Sequence, residues 1–229
     1  MKGERYFIVI LTVLALGLAS EAQAQPRLKQ PEMYVGVSGG VSASMVLFSP
    51  VVPGTSNVMK TALLGPRAGL VFRYSGHKCC GVQLEVNYDQ RGWRENDDTH
   101  SYTRRLDYIE VPLLTHIWFG KPHFRGFINV GPQVAFCVHE SESGTRQTTM
   151  VYQYAPIDNI TDWGIAGGLG FYGRSEKAGC FQFEARYSYS FGNIFTSTPG
   201  SHFESSHTMV LSLNLAYLFQ IPNKKKVKH

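Results

Sequence analysis

The chain has 229 residues, a length that suits one domain, and a formal net charge of +5 at pH 7. Much of that excess lies in the terminal NKKKVKH after Phe219, and no folded stretch interleaves basic and aromatic residues, so nucleic acid is not indicated as a partner. Beyond residue 24 no apolar run is long enough for a membrane-spanning helix, which leaves strands as the organising element.

Residues 1–24 open with Lys2 and Arg5, continue as the apolar run YFIVILTVLALGL and end in Ala22-Gln23-Ala24. A basic start, an apolar centre and small residues at a cleavage site describe a secretory signal peptide cut after Ala24. Residues 25–32 are expected to be a periplasmic N-terminal segment, 33–219 a barrel and 220–229 a basic periplasmic tail.

Period-2 alternation then recurs along the chain, and separating odd from even positions separates the two faces of each strand. In 33–46, Val35, Val37, Val41 and Met45 oppose Gly36, Ser38, Gly40, Ser42 and Ser44. In 62–74, Ala68, Leu70, Phe72 and Tyr74 oppose Arg67, Gly69, Val71 and Arg73; in 80–91, Val82, Leu84, Val86 and Tyr88 oppose Gln83, Glu85, Asn87, Asp89 and Arg91. In 106–119, Ile109, Val111, Leu113, Ile117 and Phe119 oppose Glu110, Pro112, Leu114, His116 and Trp118. Strands 124–137, 161–172, 180–190 and 207–219 repeat the pattern, with Glu184 and Arg186 on the polar face of the seventh.

Eight such strands make either a soluble barrel, apolar inside, or a membrane barrel, apolar outside. The apolar sets are bulky and carry Tyr and Phe near strand ends, as an interfacial girdle requires, whereas the other faces mix Gly, Ser and Ala with opposed charges. Connectors also alternate: 47–61, 92–104, 138–160 and 191–206 are long, and 75–79, 120–123 and 173–179 are short. Long extracellular loops and short periplasmic turns are the outer-membrane arrangement. The expected fold is an all-β, eight-stranded, antiparallel, up-and-down transmembrane barrel in the outer membrane of a Gram-negative cell, with outer-membrane lipid as its surroundings.

The stretch RRLDYIEVPLLTHIWFG resembles the fourth-strand signature of the PorT-like outer-membrane β-barrel family of Bacteroidetes-type bacteria, and INVGPQVAF, DWGIAGGLGF and EARYSYSFGNI are similar to its later strands. The resemblance implies a small eight-stranded barrel, with one branch of the family linked to protein secretion. It supplies no catalytic residues.

The inward charges Arg67, Arg73, Glu85, Glu110, Glu184 and Arg186 are expected to form an ion-paired lumen network, with Glu110 near Arg67 or Arg186, because an unpaired ion in a narrow barrel is expensive. Pro112 lacks an N–H for the ladder and predicts a bulge or local break. Gly168–Gly173 matches G-x-G-x-x-G, but no helix follows, and small lumen residues explain it. The histidines and cysteines show no H-x-x-x-H or C-x-x-C spacing, so no metal or cofactor is expected. Cys79, Cys80 and Cys180 start strands on opposite sides of the barrel and are expected to stay unbridged, as free or outward-packed thiols.

No nucleophile motif points to catalysis. The sequence therefore favours a non-enzymatic scaffold, secretion-associated component or surface recognition module, with envelope or secretion proteins as partners through the long loops or the basic tail. The alternatives are a small pore or, further off, a barrel enzyme acting on lipid or peptide.

Overall fold

The computed structural model describes residues 27–49, 59–77, 79–96, 101–121, 123–144, 157, 159–175, 179–192 and 205–222. Eight strands occupy most of them: β1 (Arg27–Ser49), β2 (Met59–His77), β3 (Cys80–Asn96), β4 (Ser101–Lys121), β5 (Phe124–Gly144), β6 (Thr161–Ser175), β7 (Gly179–Ser190) and β8 (Ser205–Ile221). Each pairs antiparallel with its chain neighbour, and β1 pairs with β8 from Met33↔Ile221 to Ser49↔Ser205, closing the barrel. Closure leaves no sheet edge in the lipid region, where an unpaired backbone group would find no water.

The greasy positions face outward. Val37, Leu70, Val86, Leu113, Ile128, Leu169, Leu213 and Leu215 are exposed, each more than two-fifths accessible. Their alternating partners, such as Ser42, Arg73, Glu85, Glu110, Asn129, Gln182 and Asn214, are buried inside. Such an inversion suits hydrocarbon outside and a polar lumen. Tyr74, Phe119, Phe124, Phe181 and Phe219 ring the short-turn end on the outer surface. The inner side of that end is floored by Tyr34, Val71, Trp118, Phe127, Tyr172, Cys180 and Leu218.

The strands outrun the lengths read from the sequence. β3 continues to Asn96 and β4 begins at Ser101, so the segment 92–104, expected as a long loop, is mostly strand with a connector at 97–100. Likewise β5 runs to Gly144 where a loop was expected from 138, and β1 starts at Arg27, inside the segment expected to precede the barrel. Beyond the bilayer the inner set stays buried, as Trp93, Tyr102, Arg104 and Leu106 show, while the outer set turns polar at Arg94 and Arg105. Apolar-outward alternation therefore ends before the strand does. The expected signal segment 1–24 and the tail from 223 onward lie outside the described residues.

Around Pro112 the ladder is interrupted on both sides. Pairing of β3 with β4 stops at Leu84↔Leu113 and resumes at Asn87↔Glu110; pairing of β4 with β5 stops at Pro112↔Gln133 and resumes at Thr115↔Val130, both in unchanged register. This is a break without a bulge. Pro112 and Pro132 each lack a donor, and a missing N–H leaves such a gap without inserting a residue.

Candidate functional site: the lumen network

Strand alternation puts Gln83, Glu85 and Asn87 on the inner face of β3 and Gln182, Glu184 and Arg186 on that of β7, across the barrel. Arg186 spans the gap: its Nη1 and Nη2 donate to the two Glu85 oxygens at 2.8 and 2.6 Å, and its Nε and Nη2 donate to Glu184 at 2.9 Å each. Gln83 Nε2 donates to Glu85 Oε1 at 2.5 Å and Gln182 Nε2 to Glu184 Oε2 at 3.1 Å. Both glutamine carbonyls in turn accept from Arg73, through Nε and Nη2 at 2.8 and 2.5 Å for Gln83 and through Nη2 for Gln182. The six side chains close a ring in which each arginine binds both halves.

Side branches fix the ring. Asn87 Nδ2 donates to Glu85 at 2.8 Å and Asn129 Nδ2 to Glu184 at 3.1 Å. Asn129 Oδ1 then faces His116 Nδ1 at 2.7 Å, which assigns the imidazole proton to Nδ1. The His116 ring sits 5.0–5.9 Å from the rings of Phe127, Trp118 and Tyr172, and Arg73 lies over Phe127 and Tyr172. The ring thus rests directly on the aromatic floor. Glycine at 168 makes room for it, since a Cβ there would stand 2.3 Å from Glu184 Oε1.

A second ring lies toward the long-loop end. Arg67 Nη1 contacts Asp89 Oδ2 at 3.0 Å and its Nη2 contacts Glu110; Arg91 Nε contacts Asp89 Oδ2 at 2.7 Å and its Nη2 contacts the other Glu110 oxygen. Ser42 donates to Asp89 at 2.7 Å, and Ser190 donates to Asp162 at 2.6 Å beside Arg91. Further out, Arg104 lies over Trp93 and binds Glu140, with Glu142 at 3.6 Å. Every acid and guanidinium in the two rings is at most 5 % accessible, so each charge depends on its partners rather than on water.

The structure therefore places all six expected lumen residues on the inner face. Arg67 meets Glu110, and Arg186 meets Glu85 and Glu184, in two separate rings; Arg186 is not a partner of Glu110. Arg73 reaches the carboxylates only through Gln83 and Gln182. Asp89, Arg91 and the two glutamines complete the rings and stand outside the expected set, although they share its strand faces. A signal for them is present: QLEVN (83–87) and QFEAR (182–186) repeat Gln-x-Glu-x-polar on strands that face each other. The four cysteines are free thiols, as expected, and Cys180 is buried on the floor. Among the described residues no group of three or more His, Cys, Asp or Glu is placed to hold a metal.

Two layers of paired ions over an aromatic floor can insulate the two ends of the barrel from each other. Comparison with known proteins agrees on the fold. Solved structures similar to this chain include the outer membrane protein OprG of Pseudomonas aeruginosa (15% identity, covering 82% of this chain and 96% of that one, TM-score 0.52). The attachment invasion locus protein Ail of Yersinia pestis, solved with a heparin analogue, is 15% identical over 82% of this chain and 99% of its own, at TM-score 0.43. Neisserial surface protein A is 11% identical over 83% and 100%, at TM-score 0.41. No curated protein matches the chain in sequence. The family described as outer membrane protein beta-barrel domain matches residues 22–196, and the chain belongs to it as a Gram-negative outer-membrane barrel.

Proposed function

We propose that this protein is a non-enzymatic, closed barrel that serves as a scaffold and recognition module for other envelope proteins at its long-loop end. The observation that carries the reading is the filled lumen: the Arg73–Arg186 ring crosses the barrel from β3 to β7, the second ring joins β2, β3 and β4 and reaches Asp162 of β6 through Arg91 at 3.8 Å, and neither leaves a guanidinium or carboxylate facing open water. A barrel sealed in this way acts through its surface. On the outer side β3, β4 and β5 continue past the apolar belt as a rigid platform, and the connectors 50–58, 97–100, 145–160 and 191–204 start from strand ends held by the barrel. The PorT-like resemblance of the fourth strand makes secretion-associated proteins the partner class to look for first.

Cross-linking in intact outer membranes, followed by purification of the barrel, tests this. Recovery of an envelope protein at defined stoichiometry, lost when the 145–160 connector is shortened, is the expected result. Recovery of the barrel alone, together with steady single-channel currents in planar bilayers, would transfer the assignment to a small pore.

A further inference from the structure

The outer wall carries one feature that the lumen does not explain. On β3 and β4 the outward positions climb from the apolar Val86, Ile109 and Val111 through a polar rung of Tyr88, Gln90 and Asp107 to two exposed arginines, Arg94 and Arg105. They are diagonal neighbours: Arg94 pairs with Thr103 and Arg105 with Gly92, which has no side chain to cover it. Arg94 Nε donates to Thr103 Oγ1 at 3.3 Å, laying the guanidinium along the outer face beside Arg105. Among the described residues of this face the nearby acid is Asp107, which accepts from Gln90 Nε2 at 2.9 Å.

Arg105 stands four residues above Ile109, about 10 Å along a tilted barrel wall. With the polar rung of Tyr88, Gln90 and Asp107 at the hydrocarbon edge, Arg105 stands two residues, about 5 Å, above it, within the headgroup layer where lipid phosphates lie. A pair of adjacent guanidiniums at that height, above an apolar wall, matches a ligand with acyl chains below and phosphate above, and arginine binds phosphate through two parallel N–H bonds. We propose that Arg94 and Arg105 form a binding site for the phosphorylated glycolipid of the outer leaflet, with Val86, Ile109 and Val111 against its acyl chains. The site rests on the direction of the barrel in the membrane and is independent of whether the lumen conducts.

The test uses the full-length protein in detergent, with native mass spectrometry and three probes: bisphosphorylated lipid A, the same lipid A dephosphorylated, and phosphatidylglycerol. Lipid A is expected to bind the wild type at least about five-fold better than it binds Arg94→Gln/Arg105→Gln, with dephosphorylated lipid A no better than that variant. Arg94→Lys/Arg105→Lys, which keeps the charge without the planar fork, is expected to fall between. Heat-modifiable gel migration of each variant checks that the barrel is closed. Equal binding of lipid A to wild type and the Gln variant overturns the site. Phosphatidylglycerol binding as tightly as lipid A, and lost in the same variant, overturns the glycolipid assignment in favour of a general phosphate site.

Discussion

Glu110 is fully buried and bridges two guanidiniums, one on each carboxylate oxygen. Removing it leaves Arg67 and Arg91 to share Asp89, so Glu110→Ala is expected to destabilise the barrel by about 3–5 kcal/mol, the range for breaking a buried pair. Urea unfolding from lipid vesicles reads this directly, and a loss under about 1 kcal/mol would mean that water already screens the ring. A pair of glycines gives a sharper comparison. Gly168→Ala drives a methyl group toward Glu184 and is expected to lose about 1–3 kcal/mol, whereas at neighbouring Gly167, which faces outward, an added Cβ meets nothing within 4 Å and the same change is expected to stay within about 0.5 kcal/mol. Equal effects at the two positions would contradict the inward placement of Glu184.

At the scale of the element, the interruption at Pro112 gives β4 two adjacent stretches of backbone outside the ladder in the middle of the wall. Native-state hydrogen exchange is therefore expected to find residues 85–86, 111–114 and 131 at least about ten-fold less protected than Phe181–Tyr187, where pairing on both sides is continuous. Pro112→Val, which restores a donor to a position already extended, is expected to slow exchange there; uniform protection in the parent chain would sink the idea. The break could be read from the sequence because proline announces a missing N–H. Strand lengths could not. Alternation is visible only while lipid demands apolar residues outside, and past Ile109 and Val86 the outer set becomes Asp107, Arg105 and Arg94, which read as loop although Trp93, Tyr102 and Arg104 remain inside. Ring partners were hidden for another reason: parity shows that Arg186 points inward and strand order that β7 faces β3, but neither gives the height at which Arg186 meets the opposite wall, so that Glu85 rather than Glu110 receives it could not be read.

On the scale of the whole molecule, two insulating layers lie in series, and in a series path the tighter constriction sets the current. The ring of Arg67, Asp89, Arg91 and Glu110 and the ring of Arg73, Gln83, Glu85, Gln182, Glu184 and Arg186 share no side chain, so opening one leaves the other intact. Replacing the first four by serine is expected to leave planar bilayers nearly silent, and replacing Glu85, Glu184 and Arg186 by serine is expected to do the same. Only a combined variant that also reduces Trp118, Phe127 and Tyr172 of the floor to alanine should conduct, with a gain well beyond the sum of the separate sets, because each set removes one obstruction while the others still block the path. Heat-modifiable migration separates a closed but open-bored barrel from one that has failed to fold. A first set of substitutions that already gives full conductance would mean that the ring on the aromatic floor is permeable, and the barrel would then be a gated pore controlled by Glu110 rather than a sealed platform.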